Sequence, residues 1–188
     1  NKKLKIVETK NLKIQGKGNI ANIMAASLIS FISGIEPEII KIGVESFKGL
    51  PHRMEKVAQI NGITFINDSK STNVNSAWYA LESFDKPIVW IAGGVDKGND
   101  YSMLKDLVKA KVKAIVCMGK DNKKLIKAFK DIVPIIEETS SAEEAVAVAY
   151  RIGKKGDVVL LSPACASFDL FENYEDRGNK FKAAVKAL

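Results

Sequence analysis

The sequence predicts an α/β fold, a mainly parallel sheet with helices on both faces. Two observations carry the prediction. From residue 88 onward, short apolar runs rich in β-branched residues alternate with helical patterns, which is the signature of a sheet buried on both sides. Upstream of them, two short runs flank Asn61-Gly62, the signal of a two-residue hairpin, so one antiparallel pair joins the sheet.

The elements follow in order. Residues 4–7 and 11–14 alternate like exposed edge strands. Residues 20–31 read as a helix with Ala25, Ala26, Leu28 and Ile29 on its apolar side. A second helix opens at Glu36-Pro37, where proline suits the first turn, and ends near Phe47. Gly49-Leu-Pro51 reads as a linker. The hairpin strands are Val57–Ile60 and Ile63–Ile66, and a helix after Asn73 runs to about Phe84.

Strands then fall at residues 88–91, 114–118, 132–136 and 158–161, each closing on turn residues. Asn99 or Asp100 caps a helix to about Ala110, with Met103, Leu104, Leu107 and Val108 on one stripe. Asp121 caps the next, with Leu125, Ile126 and Phe129 inward. Ser140-Ser-Ala-Glu143 is a capping box before Ala145, Val146, Val148 and Ala149. The tail from Asn173 to Leu188 is helical.

Composition excludes several classes. Of 188 residues, 46% are hydrophobic and 27% charged, which excludes a disordered, collagen-like or disulfide-stapled chain. No apolar run approaches the ~20 residues of a membrane span. The net charge is +7, but only Arg53, Arg151 and Arg177 are arginines and the 26 lysines are scattered. A nucleic-acid groove reader leans on arginine, so the lysines read as a solvated surface and no nucleic-acid partner is expected. Cys117 and Cys165 lie far apart in or beside apolar runs, which points to a reducing, cytoplasmic compartment. His52 is the lone histidine, so no multi-histidine metal site forms within the chain.

Ligands of an open parallel sheet bind beyond the carboxyl ends of its strands. Three polar segments fall there: residues 67–73, 93–98 and 162–167. Lys70 and Lys97 follow different strands and can converge on one carboxylate or phosphate. Ser71, Thr72 and Ser167 add hydroxyls. Asp68 would repel a carboxylate, so it suits a ribose hydroxyl or a metal-bound water, or equally a cap of the following helix. Gly119-Lys-Asp-Asn122 reads as a plain turn, and His52 as structural. No complete phosphate loop is present; Gly16-Lys-Gly18 lacks the third glycine.

Taken together, Leu50-Pro-His-Arg-Met-Glu55, Phe65-Ile-Asn-Asp-Ser-Lys-Ser-Thr-Asn73, Trp90-Ile-Ala-Gly-Gly94 with Lys97, and Leu160-Leu-Ser-Pro-Ala-Cys-Ala-Ser-Phe-Asp169 followed by Phe171 and Arg177-Gly178 resemble the Mur ligases, specifically the members that add D-glutamate. The resemblance implies a Rossmann-like C-terminal domain over residues 49–188, preceded at residues 1–48 by the end of a central ATPase domain. It implies that an ATP-dependent ligase activates the carboxylate of UDP-N-acetylmuramoyl-L-alanine as an acyl phosphate, which the amine of D-glutamate attacks during peptidoglycan precursor synthesis. By the same resemblance Asn19, Asn22, Arg53 and Asp68 bind nucleotide, Lys70 and Asp68 act in catalysis, and Thr72, Lys97, Ser167, Phe168 and Tyr174 bind D-glutamate. Gly18 stands where the family usually has histidine. The chain starts at Asn1, so the phosphate loop and the main Mg²⁺ ligands are expected upstream, and the fragment is expected to be inactive alone. The alternative is a stand-alone anion- or nucleotide-binding module without ligase activity.

Overall fold

A computed structural model describes residues 5–14 and 16–188. The chain forms two compact units, Asn1–Leu50 and Pro51–Leu188. The first unit holds a single 3-10 turn, Thr9–Asn11, and two helices, α1 (Lys17–Ile32) and α2 (Pro37–Ser46). The edge strands expected at 4–7 and 11–14 do not form over the described residues, and Leu4 lies outside them. The Asn11 amide bonds the Glu8 carbonyl and the Leu12 amide the Thr9 carbonyl, closing a turn where a ladder was expected. Within this unit α1 buries Ile23 and Ser27, while Leu28 and Ile29 of its expected apolar stripe are exposed.

The second unit is the predicted α/β fold. Its strands are β1 (Glu55–Ile60), β2 (Ile63–Asn67), β3 (Ile88–Ala92), β4 (Val112–Met118), β5 (Ile136–Thr139) and β6 (Val158–Leu161). They form one sheet in the order β1-β2-β6-β3-β4-β5. Only the β1–β2 pair is antiparallel. Its turn places Asn61 and Gly62 at φ +48° and +80°, the twist a two-residue hairpin needs.

Helices cover both faces because the strands are apolar on both. α3 (Val74–Glu82), α4 (Lys105–Lys111) and α5 (Lys123–Phe129) pack Leu81, Val108 and Phe129 against Trp90, Ile115 and Leu160. On the opposite face, α6 (Ala142–Ile152) and α7 (Tyr174–Lys186) pack Val146, Ala149, Phe181 and Val185 against Phe65, Val116 and Val159. The consecutive strands β2 and β3 are not neighbours; β6, last in the chain, lies between them.

Three local readings shift. The strand expected at 132–136 begins only at Ile136, because the Ile132 and Val133 amides bond the Phe129 carbonyl and finish the turn after α5, and Pro134 has no N–H to give a ladder. Residues 102–104 form a 3-10 turn before α4, which leaves Met103 exposed while Leu104 is fully buried. The capping box sits one residue later than expected: Ser141 accepts from the Glu144 amide at 3.1 Å, and Glu144 accepts from the Ser140 amide at 2.7 Å. Among the described residues no helix is long and apolar enough to cross a membrane.

Candidate functional site

Since β2, β6 and β3 are adjacent and parallel, their carboxyl ends open side by side. The three polar segments named from the sequence are the loops that follow. Backbone bonds tie them together. The Ala164 amide donates to the Ser71 carbonyl at 3.0 Å, joining the β6 and β2 loops. The Gly93 amide donates to the Pro163 carbonyl at 2.9 Å, and Val95 and Ala166 pair in an isolated bridge, joining the β3 and β6 loops. Gly94 has φ +124°, and a Cβ there would stand 2.2 Å from the Ala166 carbonyl oxygen. Only glycine lets these loops close so tightly.

Beneath the loops lies a buried polar network. Asn67, the last residue of β2, donates from its amide nitrogen to His52 Nδ1 and to Glu55 Oε2, both at 3.0 Å. Nδ1 is thus the acceptor, and the ring proton is assigned to Nε2. Burial, then the Lys182 ammonium, hold His52 below its ordinary pKa, which favours that neutral ring. Burial pushes Glu55 up, yet its bond from the His52 amide and the Lys182 ammonium outweigh this and leave it lowered. Gly178 of α7 packs on the imidazole; a Cβ there would lie 2.2 Å from Nδ1.

Arg177, 1% exposed, is the keystone between two loops. Its Nε donates to Ser69 Oγ at 2.9 Å, Nη2 to the Ser69 carbonyl at 2.8 Å, and Nη1 to the Cys165 carbonyl at 3.2 Å. Ser69 Oγ in turn donates to the Tyr174 carbonyl at 2.7 Å. Burial lowers the guanidinium pKa to about 10, still well charged at neutral pH.

Asp68 is buried and accepts from the Met54 amide and from Ser162 Oγ, each at 3.1 Å. Burial pushes its carboxyl up to about 7, against these two bonds and the nearby Arg53 charge. Trp90 holds the same corner, donating from its indole to the Ser162 carbonyl at 2.8 Å.

The structure brings most of the sequence-named residues of this unit onto the loop cluster. Lys70 places its Nζ 3.8 Å from the centroid of the Tyr174 ring, so the β2 loop and the first residue of α7 meet there. Thr72 is half-buried on the β2 loop, Ser167 is buried on the β6 loop, and Phe168 beside it is 69% exposed. Lys97 is exposed on the β3 loop, two residues beyond the Val95–Ala166 bridge. Arg53 is exposed and neighbours Asp68 electrostatically. Asn19 and Asn22 belong to the first unit, three residues apart on α1 and hence on one side of that helix. Cys117 and Cys165 are free and buried. Among the described residues no group of three or more His, Cys, Asp or Glu is arranged to hold a metal ion.

Sequence reading missed the supporting residues Asn67, Ser69, Ser162 and Arg177. A signal existed for the last: Arg177 precedes Gly178, and a glycine inside a helix marks a close approach.

A family model described as "Mur ligase, glutamate ligase domain" matches residues 52–165. The chain therefore belongs to the Mur ligase family, as its sequence motifs implied. It is 57% identical over 180 residues to the UDP-N-acetylmuramoylalanine–D-glutamate ligase of Christiangramia forsetii, covering 96% of this chain and 40% of that protein. It is 51% identical to the same-named ligase of Cytophaga hutchinsonii, with equal coverage, and 47% identical to that of Porphyromonas gingivalis, covering 97% and 41%. The chain thus spans about two-fifths of the length of these relatives. Among solved structures, UDP-N-acetylmuramate–alanine ligase of Thermotoga maritima superposes with a TM-score of 0.68 at 17% identity, over 94% of this chain and 39% of that one. Folylpolyglutamate synthase of the same organism gives 0.61 at 16% identity, over 94% and 41%. These two likenesses speak for the fold.

Proposed function

We propose that the chain is the C-terminal part of a cytoplasmic ATP-dependent ligase that joins D-glutamate to UDP-N-acetylmuramoyl-L-alanine. The observation that carries this reading is the cluster of Lys70, Thr72, Lys97 and Ser167 on three loops bonded to one another, in a chain highly similar to relatives that bear that activity in their names. In this reaction the acceptor carboxylate becomes an acyl phosphate, with ATP as phosphoryl donor, and the amine of D-glutamate displaces phosphate to form the amide.

The two ammonium groups suit the two carboxylates of D-glutamate, with Thr72 and Ser167 as hydroxyl donors and Phe168 and Tyr174 as walls. Lys70 lies nearest the reacting end in this reading and counters the charge that develops there. Asp68 and Arg53 are assigned to the nucleotide ribose and phosphate, and Asn19 and Asn22 to its adenine. Mg²⁺, when bound, would neutralise phosphate charge. The reading places its main ligands and the phosphate loop in the part of the protein that this chain does not span.

Phosphate release with UDP-N-acetylmuramoyl-L-alanine, D-glutamate and ATP tests the proposal. The 188-residue chain should not turn over alone; robust turnover would refute its incompleteness. In the full-length ligase, Lys97→Ala should raise the KM for D-glutamate at least about tenfold, the loss expected for a charge-assisted contact, with little effect on the KM for ATP. An unchanged KM for D-glutamate would remove Lys97 from the pocket.

A further inference from the structure

We propose that Tyr174 is a positioning residue whose ring seats the ammonium of Lys70 ready for an incoming anion. This rests on the reading of the loop cluster as the D-glutamate pocket and assigns a division of labour within it. Lys70 Nζ stands 3.8 Å from the Tyr174 centroid, well inside the ~6 Å reach of a cation–π contact. Both partners are fixed from behind. The Lys70 amide donates to the His52 carbonyl at 3.0 Å, and the Tyr174 carbonyl accepts from Ser69 Oγ at 2.7 Å. The His52 ring meets the Tyr174 ring in a T-shaped pair, 6.0 Å between centroids at 83°. Glu175 is the carboxylate whose charge couples to Lys70 from α7, and His52 is the only other titratable group coupled to it there.

An ammonium carries three donors and the ring occupies one side of it, so the remaining N–H groups stay open to a carboxylate. A free lysine loses much of its rotamer freedom on binding a ligand. Seated on the ring, Lys70 has already lost part of it, and the ligand meets a cation in place. Lys97, exposed on the β3 loop, has no such seat. The two lysines thus divide into one held and one free.

Nuclear magnetic resonance on the 188-residue chain, with D-glutamate as the added probe, tests this. The Lys70 ε-methylene signal should lie upfield of the other lysines through the ring current. Tyr174→Phe should keep that shift, since the ring face is preserved, and bind D-glutamate within about twofold of the parent. Tyr174→Leu should lose the shift and bind about threefold to tenfold more weakly. Retained amide dispersion in each variant separates this from unfolding. A Lys70 signal within the ordinary lysine envelope in the parent would overturn the seat, as would Tyr174→Leu binding with parental affinity. An upfield Lys70 in a chain that never responds to D-glutamate would overturn the pocket reading and leave the seat standing.

Discussion

The Arg177 guanidinium donates to the Ser69 carbonyl at 2.8 Å, across 108 residues of sequence, and forms no ion pair among the described residues. A buried cation satisfied by carbonyls and a hydroxyl alone is a support for backbone. It holds the β2 loop through Ser69 and the β6 loop through Cys165 in one grip.

Arg177→Met should therefore orphan two buried carbonyls. Each costs about 1–3 kcal/mol unpaired, partly offset by removing a desolvated charge. The expected loss is about 2–4 kcal/mol, read as a fall in Tm of roughly 10 °C. Arg177→Lys should fail to restore it, because an ammonium cannot present a planar fork to both loops. Wild-type melting of both variants would dismiss the grip.

Gly178→Ala should be severely destabilising, by more than about 3 kcal/mol, since its Cβ would collide with the buried His52 ring. Gly43→Ala in α2 is the control. Open space surrounds that position, and the change should be neutral or stabilise by about 0.5–1 kcal/mol. Equal behaviour of the two in chemical denaturation would contradict the packing described.

Gly94→Ala sets a strained φ against the Ala166 carbonyl and should part the β3 and β6 loops. A loss of more than about 2 kcal/mol is expected. Amide exchange at Val95 and Ala166 should rise before global unfolding; continued protection there would count against the bridge as the tie.

Asp68→Asn should change how stability varies with pH. The carboxyl titrates near 7 in the folded chain against an ordinary value of 3.8, so the folded state holds a proton that the unfolded state has released between those values. Stability from this group is complete below about pH 4 and falls as pH rises to 7, by on the order of a few kcal/mol. Asparagine removes that slope. Its Tm relative to the parent should rise from pH 5 to pH 8, and parallel Tm–pH curves for the two proteins would refute the shift.

The sheet was legible because its strands are uninterrupted apolar runs; Ile88–Ala92 and Val158–Leu161 can only be buried on both faces. The loop residues were legible because binding chemistry collects at strand ends, and Lys70 lies where topology alone put it. The support beneath them was not. Arg177 reads locally as one more solvated charge, and only the fold reveals that α7 lays it across two loops. Likewise Pro134 looked like part of a strand, whereas the Phe129 carbonyl had already claimed the preceding amides. Both depend on a partner distant in sequence or on a competing bond, which periodicity does not record.

The placement of β6 has one more consequence. The strand is the last of the sheet to be synthesised, and it is the wedge between β2 and β3. Until it emerges from the ribosome, those two strands show raw edges to their surroundings and the loops that follow them have nothing to fasten to. Assembly of the pocket and protection of the nascent chain from edge-to-edge sticking are therefore one event, and it comes at the end.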